Sequence, residues 1–345
     1  MNLYGLTYTQ LEQYLLSIGE KVSKAPFIFK GLYKQQLTDL LDIPAIRQPL
    51  KELLKQHFTL ERPRLVQQTE STDTVKFLFA LQDGSLIEAV LMRQNYGNSL
   101  CISSQVGCNM ACAFCQSGRF KRVRNLQPEE LTAQIIAVQQ LTGCTISNIV
   151  LMGIGEPFDN YDNIMQFLEI VGHPHGLAIG PRHITVSTCG LAPQIKSYAR
   201  HPQHGLLAIS LHAPDDETRS QLMPVNRRYP LAQLMEAARF YIQQTGKKVM
   251  LEYVMLQEVN DSPLQAQQLA DLIGNDSFHV NLIPYNETQN LGFTQSSRER
   301  ILSFYDILKK NNITVTMRRE FGASVNAACG QLRASYEQQS NKSSC

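Results

Sequence analysis

Apolar residues at Leu11, Tyr14, Leu15 and Ile18 fall at i, i+3, i+4 and i+7, one face of an amphipathic helix. Two breaks, Gly31-Leu32-Tyr33 and Leu40-Leu41-Asp42-Ile43-Pro44, divide the rest of residues 1–58 into short helices joined by tight turns. The period then changes. Residues 74–81 are strand-like, an Asp83-Gly84 turn follows, and residues 86–92 resume the run, which is a β-hairpin signature. Beyond the turn Asn95-Tyr96-Gly97-Asn98, seven short apolar runs alternate with helical stretches: 99–103, 148–152, 183–188, 206–211, 249–256, 279–283 and 313–317. One such stretch, 128–141, opens on Pro128-Glu129-Glu130 and carries Leu131, Ile135 and Val138 on one side. This alternation predicts an α/β fold, a parallel sheet with right-handed crossovers. Six or seven units are too few for a closed eight-unit barrel, so an open, partial β/α barrel is expected, with its active site at the C-terminal strand ends. The predicted organisation is a helical accessory domain over 1–58, a β-hairpin linker over 59–98, the partial barrel over 99–333 and a polar, disordered tail over 334–345.

Composition changes this picture little. At 345 residues, 43% hydrophobic and 18% charged, the chain can bury a full catalytic core and a small extra domain. No apolar run approaches the roughly 18 residues of a membrane span. The N-terminus lacks the basic start and apolar stretch of a signal peptide. Eight cysteines in a chain of this length do not read as a secreted disulfide framework, so a reducing cytosol is the expected setting. The net charge of +2 is uninformative, but Arg119, Lys121, Arg122 and Arg124 cluster, and Arg227-Arg228 and Arg318-Arg319 form pairs. Such groups suit a phosphate-rich substrate, or simply form a solvated surface.

Cysteine spacing changes it most. Cys108, Cys112 and Cys115 form C-x3-C-x2-C, with Phe114 just before the last. Three thiolates so placed can hold three irons of a 4Fe-4S cube and leave the fourth open. Zinc sites need a fourth protein ligand and usually pair two C-x2-C units, and there is no second unit here. The competing reading is a chance group of buried cysteines or an incomplete zinc site. Polar groups also follow several apolar runs. Gly153-Ile154-Gly155-Glu156-Pro157 ends the second, where glycine allows close backbone approach and Glu156 can accept from an ammonium group. Ser187, Ser210-Leu211-His212 and Asn286 end later runs, as a ligand-binding barrel mouth requires. Taken singly, each reads as a loop cap. Cys101 and Cys329 alone read as buried small hydrophobes.

The C-x3-C-x2-C motif is the signature of radical S-adenosylmethionine enzymes. Together with CISSQVGCNMACAFC, MGIGEPFDNYDN, ITVSTCGLAP, ISLHAPDDETRSQLMPVN, HVNLIPYN and ACGQL, it resembles the RlmN/Cfr family of RNA adenine methyltransferases from about residue 86 to 333. The N-terminal helices are similar to that family's accessory domain. The resemblance implies a 4Fe-4S cluster on Cys108, Cys112 and Cys115. It implies S-adenosyl-L-methionine held near Gly155, Glu156, Ser187, Ser210, Leu211, His212 and Asn286, and cleaved by one electron to a 5′-deoxyadenosyl radical. It implies that Cys329 takes a methyl group by displacement. The methyl, as a methylene radical, then adds to an amidine carbon of adenine. Cys101 would resolve the enzyme–RNA link through a disulfide with Cys329, and Glu88 would be the proton acceptor. The implied substrates are 23S rRNA, at carbon 2 of an adenosine in the peptidyl transferase centre, and a tRNA adenosine beside the anticodon. A flavodoxin or ferredoxin would be the reductant, and a monomer is expected. The alternative within the family is the Cfr-type carbon-8 methyltransferase. This chain has Ser104-Gln105-Val106-Gly107-Cys108, without the extra cysteine of that branch, which favours carbon 2. Gln116 departs from the small residue usual after the last cluster cysteine. A cluster-bearing RNA-binding or redox-sensing protein would need neither Cys101 nor Cys329; against a radical enzyme for a small metabolite stand the helical N-terminal module and the basic loop.

Overall fold

All seven apolar runs become strands of one sheet. The computed structural model describes residues 1–287 and 291–318, so Cys329 and the tail 334–345 lie outside the described residues. Twelve strands are described: β1 Arg64–Glu70, β2 Thr74–Ala80, β3 Leu86–Gln94, β4 Gly97–Ile102, β5 Gln105–Val106, β6 Arg124–Asn125, β7 Ile146–Leu151, β8 Ile184–Thr188, β9 Leu206–Ser210, β10 Val249–Met255, β11 Phe278–Pro284 and β12 Thr314–Met317. Ten form one sheet in the order β1-β2-β3-β4-β7-β8-β9-β10-β11-β12. The strands β4 to β12 in that order pair parallel, each pair joined by a helical crossover, and β1 and β12 are the two edges. The partial barrel is therefore open. The 74–92 hairpin extends it: β3 pairs antiparallel with β4, so the predicted linker continues the same sheet. β1, not visible in the apolar pattern, is its polar outer edge.

Strand alternation sorts the side chains by face. One face (Val75, Phe77, Phe79, Ile87, Leu91, Leu100, Ile102, Ile149, Val186, Ile209, Leu251, Val280) is buried in the main core. The register puts Lys76, Glu88, Ser99, Cys101, Asn148, Thr185, Ser187, Ser210, Glu252, Asn281 and Thr316 together on the opposite, concave face. A one-residue slip would exchange the two sets, so the apolar periodicity also fixes which polar groups line the lumen.

The N-terminal helices α1 Tyr8–Ser17, α2 Ala25–Phe29 and α3 Gln48–His57 close a second core around Tyr4, Leu11, Leu15, Phe29, Leu50 and Leu54. Helix α4 Pro128–Thr142 is shared. Leu131, Ile135 and Val138 face the sheet, while Ala133 and Ile136 enter the second core. Tyr8 stacks on His173 at 4.0 Å, and Gln166 donates to the Gly5 carbonyl at 2.7 Å. The accessory module is thus seated against the barrel's first crossovers. No described helix is long and apolar enough to cross a membrane.

Candidate active site

The cysteine loop leaves the C-terminal end of β4, at the mouth of the lumen. The β5–β6 ribbon closes its base: Val106 pairs with Arg124, and Cys108 N donates to Phe120 O at 2.8 Å. Gly107 has φ +78°, and a Cβ there would lie 2.3 Å from Lys121 O, so only glycine fits. Three contacts turn the loop over the mouth. Phe114 meets the His212 ring edge-on at 4.7 Å. The Tyr285 hydroxyl donates to Phe114 O at 3.4 Å, and Ala113 N donates to Leu222 O at 2.8 Å. The aromatic residue inside the motif therefore docks the cysteines against the ends of β9 and β11.

Burial pushes the Cys108 thiol up to about 12 and Cys112 well above its ordinary value, and the neighbouring Cys115 charge adds to both shifts. Among the described residues no three His, Cys, Asp or Glu side chains converge enough to grip one metal ion. The fit to an iron–sulfur cluster rests on the donors: three soft thiols in one loop, half-buried beside the lumen. The fold brings a fourth thiol near them that spacing could not reveal. Cys189, after β8, is buried and its thiol is pushed well up by burial, then by the charges of Glu156 and Cys112. The Gln116 amide oxygen is buried without a partner next to Cys115.

The glycines of the turn after β7 are also required by the protein's own packing. A Cβ on Gly153 would lie 2.5 Å from Ile102 O, and one on Gly155, at φ +111°, 2.6 Å from Ser104 Oγ. These glycines let the turn cross the chain leaving β4. Glu156 stands at the turn, but its carboxylate is directed at the protein. Oε2 accepts from Cys189 N at 2.7 Å and Oε1 from Phe158 N at 3.0 Å. Those two bonds hold the carboxylate down the side of β8.

Ser187 and Ser210 lie on the lumen face. His212 has φ +58° and is buried; burial lowers its imidazole to about 3, and Nδ1 accepts from Val254 N at 3.0 Å. The ring is neutral, with its proton on Nε2. Buried Asn260 clamps this turn by donating to His212 O at 2.7 Å and Val254 O at 2.6 Å. Asn286 is exposed just past β11.

Deeper in the lumen, Glu88 and Lys76 form a buried ion pair, Oε2 to Nζ 3.3 Å, with relative exposures of 2% and 1%. Glu88 is thus the reverse of the surface residue that a lone strand glutamate suggests. Cys101 lies opposite Val90, and its thiol is raised to about 11, first by burial; the charges of Arg318 and Lys76 oppose that shift. Cys101, Glu88, Lys76 and Arg318 therefore share one electrostatic neighbourhood. Across the lumen, Asn281 Nδ2 donates to Glu252 Oε2 at 2.8 Å, and Thr316 donates to Asn281 Oδ1 at 3.3 Å. Glu252 and Asn281 sit inside apolar runs and gave no sequence signal beyond alternation. The basic cluster after the cysteine loop is partly neutralised. Arg122 pairs with Asp159. Arg124 pairs with Asp83 at 2.7 Å and with Glu130 at 2.7 Å.

The radical SAM superfamily model matches residues 102–270, the stretch from the cysteine loop through α9 Pro263–Ile273, and the model of the ribosomal RNA large subunit methyltransferase N-terminal domain matches residues 1–60. "Probable dual-specificity RNA methyltransferase RlmN" of Geobacillus kaustophilus (strain HTA426) is 47% identical, over 96% of this chain and 92% of the relative. The protein of that name from Thermoanaerobacter sp. (strain X514) is 43% identical over 97% and 98%. The chain belongs to the RlmN family. The crystal structure of a radical SAM methyltransferase from Sphaerobacter thermophilus, 41% identical, superposes with a TM-score of 0.91 over 96% of this chain and 98% of that one.

Proposed function

We propose that this enzyme methylates carbon 2 of an adenosine in the peptidyl transferase centre of 23S rRNA, and of a tRNA adenosine beside the anticodon. The observation that carries this reading is the gathering of Cys101 and Glu88 on the lumen face, on the strand the three-cysteine loop leaves and the strand beside it, in a chain similar to RlmN proteins along nearly its full length. Adenine carbon 2 is electron-poor and no nucleophile, so an ordinary methyltransferase cannot reach it.

Cys108, Cys112 and Cys115 would hold a 4Fe-4S cluster, and the ends of β7, β8, β9 and β11 would hold S-adenosyl-L-methionine. Bound there, the two supply one-electron chemistry at carbon. Cys329 carries the methyl group as its thioether, and that carbon forms the bond to the base. Cys101 releases the product by attacking the Cys329 sulfur: the disulfide forms, the bond from that sulfur to the transferred carbon breaks, and the carbon takes a proton to become the methyl group. Burial holds the Cys101 thiol high, and the charges of Arg318 and Lys76 oppose that shift, toward the nucleophilic thiolate. Glu88 takes the proton from carbon 2, and Lys76 keeps its carboxylate in place. Residues 1–58 contact the RNA. A flavodoxin or ferredoxin delivers the electron, and the enzyme acts as a cytoplasmic monomer.

The test is mass spectrometry of 23S rRNA and tRNA from a host lacking its own enzyme, with this chain or its Cys329→Ala form. Methylation at carbon 2 that disappears with Cys329→Ala supports the proposal. Methylation at carbon 8 would assign a Cfr-type activity. Unchanged RNA would remove RNA as the substrate.

A further inference from the structure

Arg219, in the helix Asp216–Leu222, is fully buried (0% exposed) directly behind the mouth. All its hydrogen bonds go to neutral acceptors. Nε donates to Leu211 O at 3.1 Å, and Nη1 to Asn226 Oδ1 at 2.8 Å. Nη2 donates to Cys189 O at 2.7 Å and to Ser210 O at 3.1 Å. Among the described residues no carboxylate bridges it. The nearby Asp216 carboxylate is engaged by Asn226 Nδ2 and Leu231 N, each at 2.9 Å. A buried guanidinium without a counter-charge is costly, and burial lowers its affinity for its proton, to a pKa of about 10. Cys189 and Cys112 are the groups whose negative charge would most offset that cost.

The arrangement is built around this side chain. Gly190, at φ +116°, leaves Arg219 Nη2 its room, since a Cβ there would lie 3.1 Å away. One guanidinium ties the end of β8 to the end of β9. Leu222, which closes the same helix, accepts from Ala113 of the cysteine loop. No neutral side chain offers four donors in one plane, and the charge that comes with this fork is left for an anion nearby to offset.

We propose that Arg219 is the internal counter-charge of the iron–sulfur site, positioning the β8 and β9 ends and raising the cluster's reduction potential. The inference rests on the cluster assignment above. Three thiolates and the S-adenosylmethionine carboxylate bring negative charge to the mouth, and reduction adds one more. A fixed buried cation favours the reduced form, because little water screens it.

The experiment is an EPR-monitored redox titration of reconstituted wild-type, Arg219→Lys and Arg219→Met enzymes, with iron and sulfide content measured in parallel. Removing the charge is expected to lower the reduced-to-oxidised ratio at fixed poise at least tenfold, which is about 59 mV for one electron. Arg219→Lys keeps the charge but loses most of the bonds, and is expected to stay within threefold of wild type. Arg219→Gln replaces the methionine variant should that one not fold. Equal potentials in the charged and neutral variants, or an equal fall in both, would overturn the counter-charge. A wild-type enzyme that takes up no iron and gives no cluster signal would instead overturn the cluster assignment.

Discussion

Asn260 is the most informative single substitution around the mouth. It is fully buried and makes three side-chain hydrogen bonds: Nδ2 to His212 O (2.7 Å) and Val254 O (2.6 Å), and Oδ1 from Leu256 N (2.8 Å). Asn260→Ala removes all three and leaves two carbonyls and an amide buried. At about 1 kcal/mol per bond the loss is ~3 kcal/mol, before any desolvation penalty. Asn260→Asp keeps the shape and the Leu256 contact, but sets an oxygen against two carbonyl oxygens. The carboxyl relieves the clash by taking a proton in the folded state, which satisfies one carbonyl only. Its folded pKa therefore rises above the unfolded value of about 3.9. Above that value the folded state binds more protons than the unfolded state, so stability falls as pH rises, by up to about 1.4 kcal/mol per pH unit until the folded pKa is passed. Urea melts at pH 5 and pH 8 read this directly. Asn260→Ala should lose the same ~3 kcal/mol at both, while Asn260→Asp should be less stable than Asn260→Ala at pH 8 and recover toward it at pH 5. Equilibrium dialysis with S-adenosylmethionine should show weaker binding by both, because the Ser210–His212 turn is no longer clamped. An Asn260→Ala protein within ~0.5 kcal/mol of wild type, or a pH-independent Asn260→Asp, would refute the clamp.

In a double-mutant cycle, Lys76→Met and Glu88→Gln should each cost about 3–5 kcal/mol and the double variant much less than their sum; additive urea midpoints would show that the pair is not coupled. Burial raises the Glu252 carboxyl, against the opposing effects of Asn281 and Arg318. Its contribution therefore weakens as pH climbs above the unfolded value of about 4.5, and Glu252→Gln should flatten that fall in thermal midpoint between pH 5 and 8. Gly153→Ala drives a Cβ to 2.5 Å from the Ile102 carbonyl oxygen, a backbone clash that should cost about 1–3 kcal/mol. It should also lower iron per chain, since the strand that moves carries the cysteine loop; unchanged melting and iron content would reject the crossing argument.

The legible parts of this chain were those where a local pattern has only one physical use. Seven apolar runs became strands because residues covered by crossover helices must be apolar on at least one face. The 74–92 hairpin was legible from its Asp-Gly turn. β1 was not, because an edge strand that faces water needs no apolar signal, and Arg64–Glu70 is polar and largely exposed. The tight crossing of Gly153 and Gly155 with the chain leaving β4 was not legible, because it joins segments distant in sequence.

Sequence alone determined the cysteine spacing, the strand–helix alternation, and through parity the division of each strand into a core face and a lumen face. These are properties of neighbours in the chain, fixed by bond geometry. Tertiary structure decided everything that depends on distant residues sharing a low-dielectric volume: the Lys76–Glu88 pair, Cys189 beside the cysteine loop, and Arg219 buried, among the described residues, on neutral acceptors alone. It also decided which cations are free, since Asp83, Glu130 and Asp159 reach Arg122 and Arg124 only after folding. A charge acquires its meaning from the groups that replace its water, and the linear order of residues does not contain that information.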